Sequence, residues 1–307
     1  MIPAVMQAEL KSIWGDRVLF NEPMERHTSM GVGGSADALI FPQTLRDLRE
    51  VIDFMRSREV PYLPLGNGTN LIVRDGGYRG VIISLERMNG FRFRDEERNA
   101  FMITAEAGFD LAELVKKAAE ASLAGVEFLA GIPGTLGGAI RMNAGAYGHE
   151  ISEIVRTIYL VNGKADLVTL GRGDLRFRYR GLDLPSGSVI AGADLELRRD
   201  SEKDIRRRME GILEQRKRKH PLGIRSAGSI FKNPPGMPAG RIIEETGLKG
   251  MRIGGAQISE MHGNFIVNLG TARAADILSV METVRKKVLE AKGILLEPEV
   301  EVVGEAE

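Results

Sequence analysis

Nineteen consecutive residues, AGIPGTLGGAIRMNAGAYG at positions 130–148, carry six glycines, four alanines and a single charged side chain, Arg141. A segment this short of side chains contributes little core of its own. It belongs where something must come close to bare backbone. Two readings fit. The glycines let a helix pack closely on its neighbours, or they expose N–H groups that hold an anion such as a phosphate. A second stretch, GNGTN at 66–70, raises the same question between the strand-like runs YLPLG and GVIISL, and taken alone it reads equally as a tight turn. Neither matches the GxxxxGK[ST] or GxGxxG phosphate-loop patterns. Together they predict two anion-friendly loops, with Pro133 in the first turn of a short helix.

Hydrophobic periodicity places these loops in an α/β context. Residues 37–41 read as a strand, followed by a helix over TLRDLREVIDFMRSREV, with Leu45, Leu48, Val51, Ile52 and Met55 at helical spacing and Thr44 as N-cap. AFMITAEAG reads as a strand and DLAELVKKAAEASL as an amphipathic helix starting near Asp110. EIVRTIYLVNGKADLVTL predicts a hairpin with Asn162-Gly163 as its two-residue turn, and SVIAGADLEL a further strand. The basic helix 202–219 has an apolar stripe of Ile205, Met209, Ile212 and Leu213. DILSVMETVRKKVLEAKG forms a second long helix with Gly293 as its C-cap, and NFIVNLG and EPEVEVVG read as strands. Boundaries near 100 and 200 divide the chain into lobes 1–100 and 101–200 and a domain 201–307.

Composition narrows the function. At 307 residues the chain is long for one domain, and its 42 basic against 42 acidic residues exert no net pull towards nucleic acid or membrane. The basic runs 206–208 and 216–219 are read as solvated helix surface rather than a nucleic-acid site. With no cysteine and only four histidines, His27, His149, His220 and His262, none at i, i+4 from another, a metal site is not expected. The N-terminus lacks a basic region followed by an apolar run, and residues 128–140 are too short and too broken to cross a bilayer; a cytoplasmic monomer is expected.

Six motifs in order, HTSMGVGGSADALIFP, LPLGNGTNLIV, AGIPGTLGGAIRMNAGAYG, FRYR, AGSIFKNP and LEPEV, span residues 27–300 and resemble the UDP-N-acetylenolpyruvoylglucosamine reductase family of bacterial peptidoglycan precursor synthesis. The resemblance implies an α+β fold: a two-lobed FAD-binding domain of the vanillyl-alcohol-oxidase (PCMH) type plus a C-terminal α+β substrate domain. It implies non-covalent FAD, NADPH as co-substrate, and reduction of UDP-N-acetylglucosamine enolpyruvate to UDP-N-acetylmuramate, with hydride from flavin N5. On this reading Gly66, Asn67, Gly68, Thr69 and Asn70 form one jaw around the FAD diphosphate. Gly131, Ile132, Pro133, Gly134, Thr135, Gly138, Asn143 and Gly145 form the other.

The same resemblance assigns chemistry to three side chains. Ser229 of AGSIFKNP matches the proton donor. Arg180 of FRYR matches the arginine that holds the substrate carboxylate, although the usual following serine is replaced by GLDLP. Glu297 of LEPEV matches the carboxylic acid beside the developing enolate; Glu299 is its competitor and is read as structural. Read as residues alone, Ser229 is more readily a turn serine, and Arg180 reads as a surface arginine. Lys219, Lys232, Asn233 and His262 are candidate substrate contacts. No tyrosine lies between Arg180 and Pro221, which matches the shorter class of the family, without a tyrosine-bearing lid. A covalent flavoenzyme of the same fold is the rival, with His149 its sole candidate for attachment.

Overall fold

The computed structural model describes residues 2–95 and 100–306. After α1 (Ala4–Trp14) the first lobe runs β1 (Val18–Pro23), β2 (Ser35–Ile40), α2 (Leu45–Ser57), β3 (Tyr62–Leu65), β4 (Leu71–Val73) and β5 (Tyr78–Ser84). Helix α2 starts where its cap predicts. Thr44 Oγ1 accepts from the Asp47 amide at 3.0 Å, and Asp47 Oδ2 accepts from the Thr44 amide at 3.2 Å. The apolar face of α2, Leu48, Val51, Ile52 and Met55, is buried. The sheet order is β1-β2-β5-β3, with β2–β5 and β3–β5 parallel. Leu39, Ile40, Val81, Ile82 and Ile83 are fully buried, as two-sided strands require.

The second lobe contains β6 (Phe91–Asp95), β7 (Ala100–Glu106), α3 (Leu111–Glu120), β8 (Leu123–Ala124), α4 (Leu136–Arg141), β9 (Gly145–Ala146), β10 (His149–Glu150), β11 (Val155–Val161), β12 (Leu167–Gly171), β13 (Phe177–Arg178), β14 (Gly181–Leu182) and β15 (Val189–Arg199). Its antiparallel sheet has the order β12-β11-β15-β7-β6, with β8 added against β15. Asp110 caps α3 by accepting from the Ala112 and Glu113 amides. The β11–β12 connection is longer than the two residues expected. It spans residues 162–166, because Asn162 Oδ1 accepts from both the Lys164 and Asp166 amides and Ala165 takes a left-handed conformation.

The remaining elements are α5 (Glu202–Lys219), β16 (Ser226–Ser229), α6 (Ala239–Glu245), β17 (Arg252–Ile253), β18 (Ala256–Ile258), β19 (Phe265–Asn268), α7 (Ala274–Lys292) and β20 (Glu301–Val303). Strands β16-β19-β18-β17 form an antiparallel sheet beneath α6 and α7. Gly293 closes α7 in the left-handed conformation predicted for its C-cap. Two elements cross the expected limits. Helix α5 packs on the second lobe, with Ile205 in a cluster with Ala119 and Ala124 and Arg208 bonded to Glu127. Strand β20 returns to pair in parallel with β4 of the first lobe, and Met30 and Ile72 of that lobe enter the C-terminal core. Leu213, expected in the apolar stripe of α5, is exposed rather than buried. Among the described residues no helix is long and apolar enough to cross a membrane.

Candidate active site

The two glycine-rich stretches lie against each other. Thr69 Oγ1 donates to the Pro133 carbonyl at 3.3 Å, and a Cβ on Gly66 would stand 2.5 Å from Thr135 Oγ1. Asn67 Nδ2 reaches Asp110 Oδ2 at 3.4 Å. Gly68 has a positive φ, and any side chain there would strike the His27 carbonyl at 2.0 Å. Among the described residues, none accepts a hydrogen bond from the amides of Asn67, Gly68, Thr69 or Asn70. A loop of this kind meets the geometric demand of a phosphate cradle.

The second stretch divides between both readings of its glycines. Gly131 and Gly134 have positive φ and form the loop, with Ile132 and Pro133 between them. Gly137 lets α4 approach the residue after β7, since a Cβ there would lie 2.8 Å from Ala107 Cβ. Pro133 precedes α4 rather than entering its first turn; Thr135 is the N-cap, accepting from the Gly138 amide. Asn143 is buried with its side chain taken by protein: Nδ2 donates to Glu150 Oε2 and the Arg178 carbonyl, and Oδ1 accepts from the Ser152 amide. It braces the turn that leads to Arg180. Gly145 lies in β9, and its carbonyl accepts from Arg180 Nη2 at 3.2 Å.

Arg180 sits between β13 and β14 with φ of 55°, an unusual conformation for a residue with a side chain. Its Nε donates to Glu299 Oε1 at 2.8 Å, with 19% and 16% of the two side chains exposed. Its guanidinium carbon lies 4.9 Å from the centre of the Tyr179 ring. Burial pushes the Glu299 carboxyl above its ordinary value, against the opposing pull of Arg180 and then Lys232.

Glu297 and Glu299, expected on one side of a strand, diverge about Pro298, which forms a single bridge with Phe231. Glu297 is 70% exposed and pairs with Lys232 Nζ at 2.5 Å. Glu299 instead ties three parts of the site together. Its side chain meets Arg180, its amide donates to the Ile230 carbonyl at 2.8 Å, and its carbonyl accepts from Asn70 Nδ2 at 3.1 Å. Ser229 is therefore one residue from a direct backbone link to Glu299.

Ser229 ends β16, in register with Phe265, and follows Gly228 in a left-handed conformation. Two side chains absent from the sequence reading hold this strand. Asn264, buried, donates to the Phe231 carbonyl at 2.8 Å and accepts from the Phe231 amide at 2.9 Å. Ser29 joins the first lobe to it, its Oγ donating to the Ser226 carbonyl at 2.8 Å and its amide to the Gly68 carbonyl at 3.0 Å. Neither residue type nor spacing marks these roles, because both depend on contacts across long stretches of chain.

The substrate-contact candidates come from several elements. Asn233 Oδ1 accepts from the Ala239 amide at the start of α6, and its own amide faces Tyr179 Oη at 3.4 Å. Lys219 is exposed at the end of α5. His220 and His262 stack edge-on, with centroids 5.5 Å apart, and both rings contact Phe265. His262 Nδ1 accepts from the Asn264 amide at 3.1 Å. Burial, then the charges of Arg216 and neighbours, lowers His220 to about 4. His149 is exposed and bonded to Glu153.

Known proteins match this arrangement in two blocks. The FAD binding domain family covers residues 36–171, and the UDP-N-acetylenolpyruvoylglucosamine reductase C-terminal domain covers residues 220–303. The UDP-N-acetylenolpyruvoylglucosamine reductase of Syntrophus aciditrophicus is 49% identical over 98% of this chain and 96% of its own length. That of Desulfosudis oleivorans is 42% identical over 96% and 97%. The crystal structure of the enzyme from Thermus caldophilus superposes with a TM-score of 0.79 at 37% identity, covering 94% of this chain and 98% of that one. The chain is an oxidoreductase with an FAD-binding domain, and it belongs to the UDP-N-acetylenolpyruvoylglucosamine reductase family.

Proposed function

We propose that this chain uses NADPH to reduce UDP-N-acetylglucosamine enolpyruvate to UDP-N-acetylmuramate, with Ser229 as proton donor. The observation that carries this reading is the position of Glu299, bonded at once to Arg180, to the residue after Ser229 and to Asn70 of the first glycine-rich loop. The uncommitted amides of residues 67–70 and the close contact of that loop with 131–135 suit the FAD diphosphate. FAD, when bound there, supplies the two-electron relay between NADPH and the enolpyruvyl double bond.

The protein's part is to manage charge and a proton. Reduction at the methylene carbon leaves negative charge on the carbon next to the carboxylate, delocalised as an enolate. Arg180, with Nε resting on Glu299, keeps the Nη1 end of its fork for the substrate carboxylate. Glu299, whose burial favours the protonated form, donates a hydrogen bond to the enolate. This role moves from Glu297 to Glu299 because Glu297 is in solvent. Ser229 Oγ–H then protonates the carbon; serine is a weak acid, but a carbanionic enolate is a stronger base than an alkoxide. On this reading Lys219, Lys232 and Asn233 contact the nucleotide-sugar, and His262 lines the site. The units 1–100, 101–200 and 201–307 remain the proposed division, with α5 and β20 bridging them.

The test is substrate-dependent consumption of NADPH by the purified protein, with the product identified by mass. Consumption with UDP-N-acetylglucosamine enolpyruvate and formation of UDP-N-acetylmuramate are expected. Absence of that product from a flavin-loaded preparation overturns the reading.

A further inference from the structure

Arg216 lies on the face of α5 turned to the second glycine-rich loop. A Cβ on Gly131 would stand 2.9 Å from both Arg216 Cδ and Nε, so the glycine leaves room for this side chain. Arg216 Nε is buried and, among the described residues, has no hydrogen-bond partner. Among the described residues no carboxylate pairs with its guanidinium; Tyr147, from the same glycine-rich stretch, is the side chain that it meets. The other arginines of α5 are treated differently. Arg206, Arg207, Arg208 and Arg218 each have an acidic partner.

A half-buried cation without a counter-ion costs stability, because desolvation is not offset by pairing. Burial pulls the Arg216 guanidinium below its ordinary value, and its charge helps to keep His220 neutral. A folded protein retains such a group where something negative meets it. The anions expected in this cleft are phosphates.

We infer that Arg216 is a binding residue for a nucleotide diphosphate, its guanidinium laid along Gly131 so that fork and loop amides hold the same group. This rests on the proposed flavin and nucleotide-sugar site. Three ligands of that site carry the chemistry: FAD, the UDP-sugar and NADPH.

The test replaces Arg216 with Met, which keeps length and removes charge. Apoprotein is titrated with FAD by quenching of flavin fluorescence. Holoenzyme is titrated with UDP-N-acetylglucosamine and with NADP⁺ by the change in flavin absorbance. At least one affinity falls by about tenfold or more, as for a desolvated charge contact, and the arm that falls names the ligand. Arg216→Lys, which keeps the charge, recovers part of the loss. The ligand-free Met variant melts no lower than wild type, which a structural arginine does not allow. Three affinities unchanged within about twofold, or a loss equal in Met and Lys variants with a lowered melting temperature, overturn the inference. If the Met variant does not fold, the Lys variant and Arg216→Gln carry the same comparison. Wild-type protein that takes up no FAD sinks the site reading itself; normal uptake with an indifferent Arg216 sinks this inference alone.

Discussion

The Nε of Arg180 donates to Oε1 of Glu299 at 2.8 Å across 119 residues of sequence. The arginine comes from the second lobe and the carboxylate from the run before β20, so this contact closes the site only when both have folded. The left-handed backbone of Arg180 adds strain of order 1 kcal/mol that its surroundings must hold. Arg180→Lys keeps the charge but loses the fork. It should lower kcat/KM by about 10²-fold or more while leaving flavin content unchanged, as read by steady-state kinetics and absorbance. Near-native turnover contradicts the role.

The two neighbouring glutamates separate cleanly by substitution. Glu299→Gln should reduce turnover by about 10²-fold. Glu297→Gln, removing an exposed pair with Lys232, should stay within about threefold. The reverse order restores Glu297 to the acid's role. The pH dependence has a definite sign. Because the Glu299 carboxyl is raised in the folded state, its contribution to stability is complete below the ordinary value of 4.5 and is lost as pH rises through the raised value. Glu299→Gln removes that fall.

Much of the architecture is written locally, and the site is written only in part. Thr44, Asp110 and Gly293 act within one helical turn, so their capping roles are visible in sequence. The register of the β11–β12 loop is not, because Asn162 prefers its own backbone bonds over a two-residue turn. Glu297 and Glu299 are indistinguishable as letters. Only the bridge of Pro298 to Phe231 sends one to solvent and the other to Arg180. Arg216 is hidden in a basic run whose other arginine, Arg218, pairs with Glu214.

Asn264 holds both backbone groups of Phe231 inside the core. Asn264→Ala leaves a buried donor and acceptor unsatisfied and should cost about 2–5 kcal/mol in denaturant unfolding. Turnover should fall as well, because the same bonds fix the strand that carries Ser229. A loss below about 0.5 kcal/mol shows that the strand is held by other means.

His220 offers a second pH test. Its folded value of about 4 lies below the ordinary 6.5, so its contribution to stability is complete above pH 6.5 and is lost as pH falls towards 4. Arg216, His262 and Lys219 are the charged or titratable groups that hold it down after burial. His220→Gln should flatten melting temperature against pH across that window. Parallel profiles for the two proteins contradict this.

With FAD held as proposed, electrons from NADPH would pass to the enolpyruvyl substrate while Ser229 supplies the proton. Anaerobic rapid mixing of NADPH-reduced enzyme with UDP-N-acetylglucosamine enolpyruvate tests it directly. The oxidised-flavin absorbance should return in wild type. In Ser229→Ala, reduction by NADPH should proceed near the wild-type rate and reoxidation should slow by at least about 10²-fold. A wild-type flavin that stays reduced in the presence of this substrate, or equal slowing of both half-reactions in the variant, contradicts the account.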